Sequence, residues 1–260
     1  VYETYMTRYP VSSFTGEPTE PSPLFGHGPD FGYFYYGAIW YGDELWNGGA
    51  MEDYNGDGLL DAADALVWDD AENGGRGFRE WEPFTHPTLG AVEIGGFHPK
   101  FFSQNGPADQ MGDWARKQAL FNLELAKHLP RIEILEATVA RESSDADSAT
   151  WAVQVTFRNA GRLPTALRQA QLVKIVRPDQ VRLVIPDSLT EAEMPGTAAV
   201  EIVDPSVRDK TIETGITQPG ESKSVRFLVR TRGDVDPFDV TVRLLSTRGG
   251  VDEEVVRIGG

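Results

Sequence analysis

Trp151-Ala152-Val153-Gln154-Val155-Thr156-Phe157-Arg158 is the stretch that decides the fold of the second half of this chain. Its large apolar side chains occupy every second position and share one face, which is typical of a half-buried antiparallel strand. Similar short runs, separated by Gly, Pro, Asp and Asn, occur at 132–141, 170–176, 180–185, 225–230, 238–245 and 253–258. About seven such strands without a helix predict an all-β antiparallel sandwich of the immunoglobulin or fibronectin kind over residues 131–260.

The pattern changes on the N-terminal side of Pro130. Across residues 109–129 the apolar side chains recur at helical spacing, and Pro107 and Pro130 bracket the run, so we expect one long amphipathic helix. Farther upstream, the apolar segment 38–46 predicts a buried strand. The change of period places a domain boundary at Pro130, with a helix and a strand expected on its N-terminal side.

The composition excludes several classes of partner. The 260 residues carry a net charge of −16, and most of the excess lies in residues 1–130. Such a surface repels phosphate backbones and anionic membranes, so no nucleic-acid partner is expected. No apolar run approaches the ~20 residues of a membrane span. The chain has no cysteine, so any metal must be bound through oxygen or imidazole ligands.

Several sequence blocks occur in an order that resembles one enzyme family. They are Gly26-His27-Gly28-Pro29-Asp30-Phe31, Gly37-Ala38-Ile39, Glu44-Leu45-Trp46, His86-Pro87-Thr88-Leu89-Gly90-Ala91-Val92-Glu93-Ile94-Gly95-Gly96 and Gly161-Arg162-Leu163-Pro164-Thr165. Their order and spacing resemble the end of the catalytic domain of M14 zinc metallocarboxypeptidases, in the secreted bacterial form that carries a β-sandwich domain after it. The resemblance covers essentially the whole chain, with Phe31 in place of the family's Trp.

The resemblance implies that Glu44 is the catalytic base. It also implies that residues 1–130 are the C-terminal part of the catalytic domain, an incomplete α/β unit with a carboxypeptidase-like mixed sheet. A carboxylate in this role takes a proton from a metal-activated water and returns it to the leaving amine. The substrate would be a peptide or a small amide-linked compound, and the protein would be secreted or periplasmic. Glu93 is the second choice for the catalytic role, although its flanking glycines favour a structural carboxylate in a tight turn.

The resemblance places the zinc ligands, a His-x-x-Glu pair and a later His, ahead of the first of these blocks. No His-x-x-Glu occurs in the chain, so none of its residues is predicted to bind zinc, and the chain alone is expected to be inactive. The histidines are expected to be hydrogen-bonded or solvated side chains. They are His27, His86, His98 and His128. The start at Val1, without an initiator Met or a signal peptide, leads us to expect a parent chain that extends farther upstream.

A separate calcium site is predicted as an insertion at residues 53–64. Asp53-Tyr54-Asn55-Gly56-Asp57-Gly58-Leu59-Leu60-Asp61-Ala62-Ala63-Asp64 follows the D-x-N-x-D-G pattern of calcium loops, in which a Gly allows the sharp turn. The predicted ligands are Asp53, Asn55, Asp57, the Leu59 carbonyl, Asp61 and Asp64. The segment resembles the dockerin variant, which ends in Asp. A solvated acidic turn is the alternative, but eight acids and no base lie between Glu52 and Glu72.

Two other functions stay open at this point. The predicted sandwich and calcium loop alone would also suit a non-catalytic, calcium-stabilised binding or adhesion module of a secreted protein. The chain could also belong to a pseudoenzyme whose parent has lost zinc. A His-x-x-Glu ahead of this region in the parent gene would favour the enzyme over both alternatives.

Overall fold

The computed structural model describes residues 28–41, 45–46, 48–50, 52–191, 198–205 and 210–259. Their regular structure is mostly antiparallel β-sheet. Two units are distinguished, of which the first includes Tyr41–Leu125 and the second combines His27–Trp40 with Ala126–Gly260. No helix in the described part of the chain is both long and apolar enough to cross a membrane.

The first unit contains two helices and one hairpin. Helix α1 spans Ala62–Glu72, strand β1 Phe78–His86, strand β2 Gly90–Phe97, and helix α2 Met111–Ala126, with a π-helical turn at Pro99–Ser103. Helix α2 confirms the helix expected within residues 109–129. Strands β1 and β2 pair with each other in an antiparallel hairpin. They form the one sheet of this unit's described part, so the mixed sheet of an α/β unit stays a prediction.

An aromatic cluster forms the core of the first unit. Trp46 stacks on Trp114 with 5.4 Å between ring centroids and meets the rings of Trp68 and Phe102 edge-on at 5.1 Å and 5.5 Å. The indole N–H of Trp46 donates a hydrogen bond to the Phe102 carbonyl, so the polar end of the buried ring is satisfied. Residues from α1, α2 and the π-helical turn therefore converge on Trp46.

The second unit consists of two four-stranded antiparallel sheets. Its elements are β3 Ile132–Ser144, β4 Ser148–Asn159, α3 Arg168–Leu172, β5 Asp179–Val184, α4 Asp187–Thr190, β6 Val200–Asp204, β7 Thr211–Gly215, β8 Ser222–Arg232, β9 Phe238–Ser246 and β10 Gly250–Ile258. The strand orders are β3-β4-β8-β6 and β10-β9-β5-β7. Buried side chains from both sheets share one hydrophobic core, which confirms the prediction of paired antiparallel strands after residue 131.

Strand β4 is an antiparallel strand with one buried face, as the period-two pattern predicted, and it lies between β3 and β8. Val153, Val155 and Phe157 are fully buried, and Val153 lies opposite Phe227 on β8. Gln154 points away from this core and is exposed. The apolar side chains of the alternating sequence therefore face the core, and Gln154 between them faces the solvent.

The structure corrects two predicted strands. The run 170–176 contains no strand, because residues 168–172 form helix α3 and Ala170 is buried there against the main chain of Gly37. The described part of the segment 38–46 contains no strand either. It follows a π-helical turn at Phe31–Tyr35, and Gly37 has a φ of 61°, which breaks an extended backbone.

The sequence patterns also missed three strands, β1, β6 and β7. Strands β6 and β7 have five residues each and lie at sheet edges, so their alternation is too short to stand out. Strand β1 is largely exposed along its length, so no apolar face marks it.

Candidate functional site

Glu44, the predicted catalytic base, lies outside the described residues. Trp46, two residues after Glu44, is described and is buried at the centre of the first unit's aromatic cluster. A side chain that contacts three other rings and donates a hydrogen bond holds its own backbone in one position.

The aromatic segment 31–40 presents its rings to solvent. Phe31 is 59% exposed and Tyr35 is 71% exposed. The indole of Trp40 folds back across Gly28 and Gly32, and a Cβ at Gly28 would lie 3.1 Å from the Trp40 ring nitrogen. This segment belongs to the second unit. It forms an exposed aromatic surface.

Glu93, the second choice, lies in the middle of strand β2 and is exposed. It pairs with Pro83 across the hairpin, so it is on a strand and not in the tight turn that its flanking glycines suggested. The turn is at Gly90, where φ is 79°. Gly95 has a different role, because a Cβ there would lie 2.7 Å from the Trp81 Cα. The glycines of this block therefore shape a hairpin and leave Glu93 open to water.

Each described histidine accepts a hydrogen bond from a backbone N–H group. The Nδ1 atom of His86 accepts the Leu89 N–H at 3.2 Å, and that of His98 accepts the Phe101 N–H at 3.1 Å. The carbonyl of His128 accepts the Arg162 N–H. His27 lies outside the described residues. Across the ranges that the structure covers, no three His, Cys, Asp or Glu side chains form a group that could hold a metal ion.

The predicted calcium loop is a compact turn organised around Asp53. Its Oδ1 atom accepts the Gly56 N–H at 2.7 Å, and its Oδ2 atom accepts the Gly58 N–H at 2.9 Å. Gly56 and Gly58 have φ values of 74° and 84°, which allow the backbone to curl around the carboxylate. Asn55 Oδ1 and Asp57 Oδ1 each accept the N–H of the residue two positions later. The loop thus has a fixed conformation built from its own side-chain oxygens.

The C-terminal end of this loop continues into helix α1. Asp61 caps the helix by accepting the Ala63 N–H at 2.7 Å, and Asp64 is fully buried. Asp64 Oδ1 accepts the Tyr54 N–H at 2.7 Å, so it ties the end of the loop back to its start. Leu59, whose carbonyl was a predicted ligand, donates its N–H to Asp57. The structure brings the predicted residues into one loop, with their carboxylates directed at backbone amides.

The negative charge of this region acts on Tyr54. Burial raises the pKa of the Tyr54 phenol above its ordinary value, and the charges of Glu52, Glu72 and Asp64 raise it further. The raised pKa of the Tyr54 phenol is therefore partly an effect of the local excess of negative charge.

The Gly161–Thr165 turn, one of the resembling blocks, is fixed by a buried asparagine that the sequence did not single out. Asn159 Oδ1 accepts the N–H groups of Arg131 and Gly161 at 3.0 and 2.9 Å. Its Nδ2 donates to the carbonyls of Leu163 and Thr217 at 2.8 and 3.2 Å. A Cβ at Gly161 would overlap the Leu129 carbonyl oxygen. This turn therefore packs directly on the segment that leads into β3.

Asp179 is a second buried polar group of the same unit. Its Oδ2 atom accepts the hydroxyl of Thr165 at 2.6 Å and the hydroxyl of Thr217 at 2.7 Å. All three residues are buried. The carboxylate joins the end of the Gly161–Thr165 turn to the start of β5, which is a structural role.

An open cavity of about 820 Å³ lies at one end of the sandwich. It is lined by Asp145, Ala146, Asp147, Ser148, Arg232, Gly233 and Asp234. Hydrogen bonds from the Asp147 and Ser148 amides and the Ser148 hydroxyl lower the pKa of Asp145. None of the predicted site residues lines this cavity.

Comparison with known protein families finds a match for part of the chain. Residues 131–257 match a family described as a domain of unknown function, DUF8731. No curated protein matches the chain.

Several solved structures resemble about half of the chain. An exo-chitosanase, CsxA, from Amycolatopsis orientalis is 15% identical with a TM-score of 0.29 over 49% of this chain. A glycosyl hydrolase family 2 member from Bacteroides cellulosilyticus DSM 14838 is 17% identical with a TM-score of 0.27 over 50%. The archaellum periplasmic stator protein FlaG from Sulfolobus acidocaldarius is 11% identical with a TM-score of 0.22 over 49%, and all of that chain is covered. This chain spans only 13% and 15% of the first two proteins.

Proposed function

We propose that this chain is the C-terminal portion of a secreted or periplasmic zinc carboxypeptidase of the M14 type, which hydrolyses C-terminal peptide bonds with Glu44 as the general base. The order of the resembling blocks along the whole chain supports the family. The observation that carries the assignment of Glu44 is the burial of Trp46, two positions later, in the aromatic core of the first unit. A general base must be held in register with the proton that it abstracts, and a rigid core next to it provides such support.

In this proposal residues 1–130 complete a carboxypeptidase-like mixed sheet together with residues that precede this chain, and the two sheets after residue 131 form an immunoglobulin- or fibronectin-like accessory domain. The resemblance places the zinc ligands ahead of the first resembling block, so in this proposal the metal is bound by residues that precede this chain. When bound, it would activate a water and polarise the scissile carbonyl. The part of Glu44 is to accept the proton of that water and to pass it to the leaving amine.

We also propose that the 53–64 loop binds Ca²⁺. The donor set suits a hard cation, because it consists of carboxylate and amide oxygens with no nitrogen or sulfur ligand. The residues that would hold the ion are Asp53, Asn55, Asp57, Asp61 and Asp64, with the Leu59 carbonyl. Since Asp64 lies in the first turn of α1 and Trp68 of the same helix packs against Trp46, the ion would stabilise the core of the first unit.

The proposal is tested with Glu44→Gln in the complete protein. This substitution keeps the shape of the side chain and removes its basicity, so we expect kcat to fall by about 10² to 10⁴. The zinc content stays unchanged, because Glu44 is not a ligand. Glu93→Gln is the matched control and keeps native kcat, since Glu93 is an exposed residue of a hairpin. Near-native activity of Glu44→Gln, or loss of activity in Glu93→Gln, overturns the assignment.

A non-catalytic binding module is the second candidate. The exposed aromatic surface of residues 31–40 favours it, because large apolar side chains grouped on a surface mark interaction sites. In that case the complete protein would hydrolyse no peptide even when zinc is supplied, and Glu44→Gln would leave ligand binding unchanged.

A further inference from the structure

A second cavity of the second unit lies beside helix α3 and the end of strand β7, and its volume is about 240 Å³. Two of its lining side chains are cations, Lys174 and Arg177, and Gln171 adds an amide. The apolar part of the lining consists of Val176, Pro178 and Ile216. None of the described acids lines this cavity, whereas the larger cavity of the same unit is lined by three aspartates. The two cavities therefore suit ligands of different charge.

The cations of the smaller cavity are available to a ligand. Within the described ranges, neither the Lys174 ammonium nor the Arg177 guanidinium has a hydrogen-bond or ion-pair partner. Residues 160–178 contain four Lys and Arg and no Asp or Glu, although the whole chain carries a net charge of −16. Asp179, the acid that follows this run, is buried, and its Oδ2 atom accepts two threonine hydroxyls. The basic run is therefore a local positive patch that attracts anions.

Hydrogen bonds hold the backbone on both elements that border the cavity. Lys174 has a φ of 56°, a left-handed conformation that turns the chain just after α3. The Arg177 N–H donates to the Thr247 hydroxyl oxygen at 3.1 Å. On the β7 side, the Lys223 ammonium donates to the Ile216 carbonyl at 2.7 Å. The cavity is therefore formed before a ligand arrives, which lowers the entropic cost of binding.

We propose that this cavity binds a small organic anion, namely a carboxylate that carries a short apolar group. The planar guanidinium of Arg177 matches a carboxylate with two parallel hydrogen bonds, and Lys174 adds a second positive charge. The apolar lining then covers the apolar group, which phosphate lacks. At about 30 Å³ per water molecule the volume holds about eight waters, so the ligand has the size of one acylated amino acid.

This inference goes beyond the proposed peptidase function and does not depend on it. All of the lining residues belong to the second unit. They also lie within residues 131–257, the region that matches the family of unknown function. A loss of peptidase activity in Glu44→Gln, or its absence from the complete protein, therefore leaves the proposed anion site unaffected.

The ligand class is tested by titrating the full 260-residue chain with N-acetyl-leucine and following the amide chemical shifts of Gly215 and Ile216, which line the cavity. The expected Kd is on the order of 1 mM, as suits a ligand of so few atoms. N-acetyl-leucinamide has nearly the same shape without the charge, so it binds at least about tenfold more weakly. Acetate and inorganic phosphate lack the apolar group and also bind at least about tenfold more weakly. No binding of N-acetyl-leucine up to about 20 mM, or equal binding of the amide or of phosphate, overturns the proposal.

The site is tested by substitutions that remove one positive charge each. Arg177→Gln raises the Kd for N-acetyl-leucine at least about tenfold, and Arg177→Lys raises it less, because Lys keeps the charge without the planar fork. Arg168→Gln is the matched control, since Arg168 is an exposed arginine of α3 that does not line the cavity, and it changes the Kd less than about twofold. Hydrogen exchange at the buried Val240 shows that each variant is folded. Equal effects of Arg168→Gln and Arg177→Gln, or an unchanged Kd in Arg177→Gln, overturn the site.

Discussion

Replacing Asn159 by Ala is expected to destabilise the second unit by about 3 kcal/mol. The side chain is fully buried and satisfies two N–H groups and two carbonyls. The Thr217 carbonyl keeps a partner, because it also accepts the Thr165 N–H at 3.0 Å. The main cost comes from the amides of Arg131 and Gly161, since each unsatisfied buried donor costs about 1–3 kcal/mol. Water entry at the half-exposed edge of the turn keeps the total toward the lower part of that sum.

The assay is hydrogen exchange at the amides of Val153 and Phe227, which face each other in adjacent strands at the centre of one sheet. Their exchange requires unfolding of the unit, so the protection factor measures its stability. A loss of about 3 kcal/mol lowers protection a little over a hundredfold, because each 1.4 kcal/mol is about a factor of ten. Gln154→Ala, at an exposed site of the same strand, is the control and changes stability by less than about 0.5 kcal/mol. Equal effects of the two substitutions would refute this account of the turn.

The calcium loop yields two further predictions. Calorimetry should detect heat on adding Ca²⁺, and EDTA should lower the Tm. Asp53→Ala abolishes both effects, and the control Asp70→Ala, at an exposed residue outside the loop, preserves them. If neither heat nor a change in Tm is seen with the unsubstituted chain, the loop is only an acidic turn. The second prediction concerns pH. Burial, and then the charge of Glu52, raises the pKa of the Tyr54 phenol above 10.0 in the folded state. The stability that the protonated phenol contributes is therefore complete below pH 10.0 and is lost as the pH rises through the higher folded pKa. The pKa is measured by absorbance titration, with the Tyr54→Phe variant as the reference that lacks this phenol. Ca²⁺ should lower the pKa of Tyr54. A pKa that is not raised, or that does not change with Ca²⁺, contradicts the proposed charge environment.

The secondary structure of the longest regular segments could be predicted from the sequence. The strand around Val153 and the helix Met111–Ala126 each contain several repeats of one hydrophobic period, and each buries the face that the period marks. The conformation of the 53–64 loop was also foreseeable, because Asp and Asn side chains bond to amides a few positions away and glycines permit the positive φ values. In these cases the partners are neighbours in sequence.

Short elements and long-range contacts required the tertiary structure. The run 170–176 reads as a strand by its apolar residues, yet residues 168–172 are helical and place Ala170 against Gly37. The five-residue strands β6 and β7 are too short for a period to be recognised, and they exist because a longer strand lies beside each of them.

The amino-acid sequence by itself determined the longer antiparallel strands of the second half, the helix before Pro130 and the composition of the acidic loop, because each depends on residues close together in the chain. Only the tertiary structure decided that Trp46 is surrounded by three other aromatic rings, that Asn159 joins four backbone groups, and that Arg248 holds residues 36 and 37. Contacts between residues far apart in sequence depend on how the elements pack, and no local period encodes that packing.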